Sequence, residues 1–148
     1  MRSLVLIYLV LFLAGCGSKP SPMEDLLTRE VTLPGGHIIR AETAVDTRDI
    51  MRGLMFRDSL APDHGMLFVH PVSGNYGYWM YQTLIPLDMI WIDADNKIVE
   101  IVENTPPCKT AASQCPLYGG HEMAKYVLQL RGGMAQKYGL KVGQQVQF

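Results

Sequence analysis

Between Gly65 and Asp93 the chain reads GMLFVHPVSGNYGYWMYQTLIPLDMIWID, its densest apolar and aromatic stretch after the N-terminus, broken by a few polar groups that a core does not choose without reason. Three strands fit it, Gly65–Val69, Gly77–Tyr81 and Leu87–Ile92, separated by turn chemistry at Pro71–Asn75 and Gln82–Pro86. In the first, Met66, Phe68 and His70 share one parity and Leu67 and Val69 the other, so neither face is written for water and a central strand is expected. In the last, Asp88 shares a face with Ile90 and Ile92, while Leu87, Met89 and Trp91 point the other way. A carboxylate leaving water there needs a cation or several donors, and Arg52, Arg57 and Thr83 are the evident suppliers. Asp88 is then either a semi-buried ion pair pinning a helix to the sheet, or an acid/base or ligand-binding carboxylate at a cavity edge.

The flanks supply the rest of a small β-rich domain. Arg29–Leu33 alternates and stops at Pro34-Gly35-Gly36, with His37–Val45 as the return strand and His37 an exposed loop histidine. Asp46 and Thr47 are good N-caps for a short helix over Thr47–Arg52, closed by Gly53 in a left-handed conformation. After the turn at Asp93–Asn96, Lys97–Val102 alternates as a hairpin return. Lys125–Leu130 is a further strand, Met134–Tyr138 a second short helix closed by Gly139, and Gln145–Phe148 a final edge strand. These segments predict one mainly β domain over residues 26–148, a compact antiparallel sandwich or barrel of about eight short strands with two short helices.

Several of these segments carry a resemblance. Arg52-Gly53-Leu54-Met55-Phe56-Arg57, Gly65-Met66-Leu67-Phe68-Val69, Trp79-Met80, Thr83-Leu84-Ile85-Pro86-Leu87-Asp88-Met89-Ile90 and Ile92-Asp93, followed by Pro107-Cys108, Cys115-Pro116 and Tyr126-Val127-Leu128, resemble the domain of unknown function 192 family. The resemblance extends over almost everything beyond about residue 30. It implies a small, mainly β domain of unestablished activity, and it draws Arg52 and Arg57 out of the ordinary solvated charges as an ion pair or a ligand contact. At two places the chain departs from the family. Tyr81 and Gln82 stand where a basic residue and Asn are usual, and Gln144 stands where Asp is frequent, so neither of those polar roles carries over.

Residues 1–15 form an export signal, with one positive charge at Arg2 and an apolar run from Leu4 to Leu13. That run is about half the roughly 20 residues of a spanning helix. Leu13-Ala14-Gly15-Cys16 resembles a bacterial lipoprotein cleavage box, in which the Cys16 thiol takes a diacylglyceryl group and becomes the new N-terminus. Several acyl chains on Cys16 anchor a domain firmly where one does so only marginally. Residues 16–25, with Pro20 and Pro22 and no apolar periodicity, then serve as a tether. Gly17 and Ser18 lack the aspartate common in lipoproteins of the inner membrane, which favours the outer membrane, facing the periplasm, as the destination. The formal charge is −1 and falls by one when Arg2 leaves with the signal, whereas a nucleic-acid partner calls for a concentrated basic patch.

Behind an export signal, Cys108 and Cys115 at the ends of a short loop read as a local disulfide. His64, His121 and the methionines at 66, 80, 89 and 123 bring Cu(I) to mind, but methionines flanked by Leu, Phe and Ile are mostly core filler, so no metal and no cofactor is expected. Tyr76, Tyr78, Trp79 and Tyr81 form either core or the wall of a sugar or small-ligand site. The candidate ligand-binding set is Arg52, Arg57, Trp79, Met80, Thr83 and Asp88, with Asp88 and His70 the candidate catalytic pair. His70, before Pro71 at a strand end, is either a pocket-mouth residue or a partly buried hydrogen-bonded one. Two functions follow: a module binding a small ligand or envelope partner, or an enzyme acting on an envelope saccharide or wall substrate. Whether a second titratable group shares an open cleft with Asp88 separates them.

Overall fold

Six segments with a period of two pair into one open sheet. The computed structural model describes residues 27–148. The signal, Cys16 and the tether of residues 16–25 lie outside them, as does Leu26. The strands are β1 (Thr28–Thr32), β2 (Ile38–Ala44), β3 (His64–Gly74), β4 (Leu87–Ile92), β5 (Ile98–Thr105) and β6 (Ala124–Arg131), with α1 (Thr47–Arg52) after β2 and α2 (Met134–Lys137) after β6. They lie side by side in the order β1-β2-β3-β6-β4-β5. The fold is mainly β and sandwich-like, but the sheet is not closed into a barrel.

The expectation of a wholly antiparallel sheet needs correction, because β2 and β3 pair in parallel, Ala41 opposite Gly65 and Ala44 opposite Phe68. The segment carrying α1 is a crossover long enough to bring the chain back in the same direction, which a tight turn cannot do. Two expected strands are also absent as such. Gly77–Tyr81 touches its neighbours only through isolated bridges, Tyr78 to Tyr118 and Tyr81 to Cys108, and Gln145 and Gln147 likewise make only single bridges, to Lys97 and Thr32. Both segments lie over the sheet's faces or edges, where one or two pairings anchor a loop without extending a ladder.

Strand parity is as the alternation requires. One face presents Ile39, Leu67, Leu128, Leu130, Ile90 and Ile92, and Met134, Ala135, Leu140 and Val146 of the C-terminal segment cover it. The opposite face presents Met66, Phe68, Met89, Trp91 and Val127, covered by Leu54 and Leu60 after α1 and by Met80. All six residues of β4 are buried, as expected of a strand covered on both faces. On this second face, the loop leading into β6 passes so close to Trp91 that a Cβ at Gly119 would stand 2.3 Å from its ring. The indole nitrogen of Trp91 donates to Tyr76 O at 2.7 Å.

Candidate functional site

The second face carries a broad opening that gathers sequence-predicted residues. Asp46 caps α1 by accepting the Asp49 N–H at 2.8 Å, and Gly53 ends it at φ 46°. Such a short helix can bury only one edge. Ile50 and Leu54 pack on the second core cluster, leaving Met51 65% exposed. Beyond it, Phe56 adopts φ 63° and donates its N–H to Gln82 O at 2.8 Å, and Gln82 itself sits at φ 55°. Left-handed backbone at non-glycine residues costs on the order of 1 kcal/mol each, and two such residues facing one another across a cleft mark a geometry held by its surroundings.

The opposing wall is the Trp79–Gln82 segment, fixed from behind by the loop leading into β6. Tyr78 and Tyr118 exchange backbone hydrogen bonds at 2.9 and 2.7 Å, while Cys108 N and Thr83 N both donate to Met80 O, at 3.0 and 3.2 Å. Cys108 and Cys115 form a disulfide, with Cα atoms 5.8 Å apart, so the clamp on Met80 is itself tied. Trp79 is left 37% exposed, its ring 5.5 Å from that of Tyr81.

Between the two walls lies a cleft of about 760 Å³, lined by Arg48, Met51, Arg52, Met55, Phe56, Trp79, Tyr81 and Gln82 together with Thr47. Sharing Met51, Arg52, Met55, Trp79 and Tyr81 with it is a pit of about 30 Å³, bounded also by Gly53, Phe68, Tyr78, Thr83 and Gln129. A neighbouring depression of about 340 Å³ runs from Tyr81 to Cys108 and Lys109. Of the predicted ligand-binding residues, Arg52, Trp79 and Thr83 come together here. Met80 does not reach the cleft: it is fully buried and acts through its backbone carbonyl. Arg57 turns away to pair with Glu42 at 2.5 Å.

Asp88 is elsewhere. Its parity takes it to the other face of the sheet, where it is 0% exposed. Oδ1 accepts the N–H groups of Asn104 at 2.7 Å and Gly133 at 3.1 Å, and Oδ2 accepts that of Ala135 at 2.6 Å. The expected pairing with Arg52 or Arg57 is therefore replaced by three backbone donors, since the C-terminal segment reaches the carboxylate and the arginines lie across the sheet. His70 also lines none of the three cavities. Its ring stacks on Tyr76 with centroids 3.5 Å apart, and Nε2 lies 3.0 Å from Tyr78 Oη. Burial, with the charge of Lys125 adding to it, lowers His70 to about 4. Burial raises the Tyr78 hydroxyl well above its ordinary range.

Gln129 is the residue that sequence reasoning missed. It is 4% exposed on β6, in register with Met66 of β3 and Met89 of β4, so its amide shares their face at the floor of the pit. The available signal was a glutamine inside the apolar run Tyr126–Leu130. Met66, Met80 and Met89 are all core. Among the described residues no cluster of three or more His, Cys, Asp or Glu is arranged to hold a metal, and no helix is long and apolar enough to cross a membrane.

Comparison with known proteins places this geometry in a group without an assigned activity. The family model DUF192, described as Uncharacterized ACR, matches residues 30–148. A candidate transcription regulator from Sinorhizobium meliloti 1021, solved by crystallography, is 33% identical, with a TM-score of 0.74 over 82% of this chain and 94% of that one. A protein of unknown function from Novosphingobium aromaticivorans DSM 12444 is 29% identical, with a TM-score of 0.77 over 89% of this chain and 94% of that one. Among curated proteins none matches.

Proposed function

This chain belongs to the DUF192 family, and we propose that it works as a binding module of the bacterial cell envelope whose cleft between α1 and Trp79–Gln82 takes a small ligand of saccharide size. The observation that carries the reading is the pairing of a partly exposed Trp79 with Arg52 across an open cleft of about 760 Å³. A ring face stacks on the indole, while guanidinium and amide groups at the edge supply hydrogen bonds, a combination that suits a sugar. Anchoring is through acyl chains on Cys16, which place the domain at the membrane. The ten residues from Gly17 to Leu26 reach at most about 35 Å when extended, so the cleft works close to the bilayer.

The enzymatic alternative required Asp88, His70 and the arginines in one cleft. Asp88 and His70 stand on opposite faces of the sheet, and the described residues lining the cleft include no carboxylate, imidazole or thiol. Binding is thus the better supported of the two. A nucleic-acid role is not favoured either, at a net charge of −1.

The test uses the two tryptophans. Trp91 is fully buried and Trp79 is not, so a ligand in the cleft shifts the emission of Trp79 alone. Titration of the full chain with a panel of envelope saccharides is expected to produce a saturable shift that Trp79→Phe abolishes. No shift with any of them would sink the reading.

A further inference from the structure

We propose that the pit beneath Arg52 is a carboxylate subsite, so that the ligand of the cleft is an acidic saccharide. This deepens the reading of the cleft as a saccharide site and rests on it. The first observation is a pair of buried polar side chains, Gln129 at 4% and Thr83 at 6% exposure, that both line the pit. An amide placed between two core methionines on a central strand costs stability unless something bonds to it, so its presence asks for a partner. Among the described residues neither side chain makes a hydrogen bond to a protein group, and both residues line the pit.

The second observation is the sign of the charge. Arg48, Arg52 and Lys109 stand around the cleft and its neighbouring depression, and the described residues lining those cavities include no Asp or Glu. Arg57 is neutralised by Glu42, whereas Arg52 has no carboxylate within 4 Å among the described residues. In a chain whose formal charge is −1, a wall of one sign concentrates the field that an anion follows.

Size and donor geometry choose among anions. At about 30 Å³ the pit has room for one or two water-sized groups, which suits the two oxygens of a carboxylate better than the four of a phosphate. A guanidinium fork at the rim, with an amide NH2 and a hydroxyl below, supplies donors to a planar acceptor pair. The sugar ring then lies outward against Trp79.

The test compares N-acetylmuramic acid, N-acetylglucosamine and inorganic phosphate by calorimetric titration of the full chain in a nonionic detergent. The acidic sugar is expected to bind at least about tenfold tighter than the neutral one. Arg52→Ala should erase that difference by weakening the acidic sugar far more than the neutral one, and Arg52→Lys should restore part of it. Gln129→Leu should weaken the acidic sugar selectively. Should that buried change fail to fold, Thr83→Val reads out the same floor. Equal affinity for the two sugars would overturn the carboxylate subsite and leave the saccharide cleft standing. Binding of neither sugar would overturn both, and phosphate displacing the acidic sugar at comparable concentration would overturn the choice of carboxylate.

Discussion

The Asp88 carboxylate stands 2.6 Å from the amide nitrogen of Ala135, joining a strand at the middle of the chain to the first turn of α2 across a separation of 47 residues. With Gly133 and Asn104 also donating, one buried side chain holds both the β6–α2 turn and the left-handed residue Asn104 of β5 in place. Asp88→Asn keeps an oxygen for two of these donors but turns an NH2 group toward the third. It should destabilise by about 3 kcal/mol, and Asp88→Ala by roughly 4 to 5 kcal/mol. Urea unfolding measures both. Ligand binding per folded molecule should not change, because the cleft lies on the other face.

The two arginines predict opposite phenotypes. Arg57→Ala breaks a part-buried pair, 23% and 18% exposed at Arg57 and Glu42, and should cost about 1 kcal/mol of stability with the cleft's affinity unchanged. Arg52→Ala should leave the melting temperature within a degree or two and weaken binding. Melting curves and titrations on the two variants, set side by side, would contradict this assignment if the effects came out reversed.

The disulfide should contribute to both stability and the shape of the cleft. Cys108 and Cys115 are 7 residues apart, and closing so short a loop removes little chain entropy, about 2 kcal/mol. Free-thiol titration of the denatured, unreduced chain should find neither of them. Because Cys108 N bonds Met80 O beside Trp79, reduction should also loosen the aromatic wall. A reduced protein that melts lower yet keeps wild-type affinity would show that the clamp is not needed for the cleft.

His70 makes stability depend on pH. Its folded value of about 4 lies below the ordinary 6.5, so between these values the unfolded chain binds the extra proton. Its contribution is therefore complete above about pH 6.5 and is lost as pH falls toward 4, by roughly 2 kcal/mol after allowing for solvent screening at the ring edge. His121, raised by its bond to Glu100, acts with the opposite sign and is removed by measuring in a His121→Asn background. In that background His70→Phe should flatten the slope of unfolding free energy between pH 6.5 and 4. An unchanged slope would rule out His70 as its source.

Lipidation is tested apart from the domain. A fatty-acid probe should label the wild-type chain and not Cys16→Ser. An unlabelled wild type would remove the anchor from the proposed function while leaving the cleft intact.

Much of this architecture was legible in the residues themselves, because period-two alternation and capping are local. The faces of β3 and β4, the bounds of α1 at Asp46 and Gly53, the hairpin at Pro34–Gly36 and the Cys108–Cys115 pair each depend on residues a few positions apart. Parity also placed Asp88 on the face of Ile90 and Ile92, but nothing local says what covers that face. Only the path of the chain decided that backbone amides from residues 104, 133 and 135 meet the carboxylate, while the arginines stay on the far side of the sheet. The parallel pairing of β2 with β3 is non-local in the same way, since alternation in a strand is blind to the direction of its neighbour. Gln129 became part of a site only when β3 and β4 closed on either side of β6, because one polar residue in an apolar strand acquires its meaning from the space packed against it.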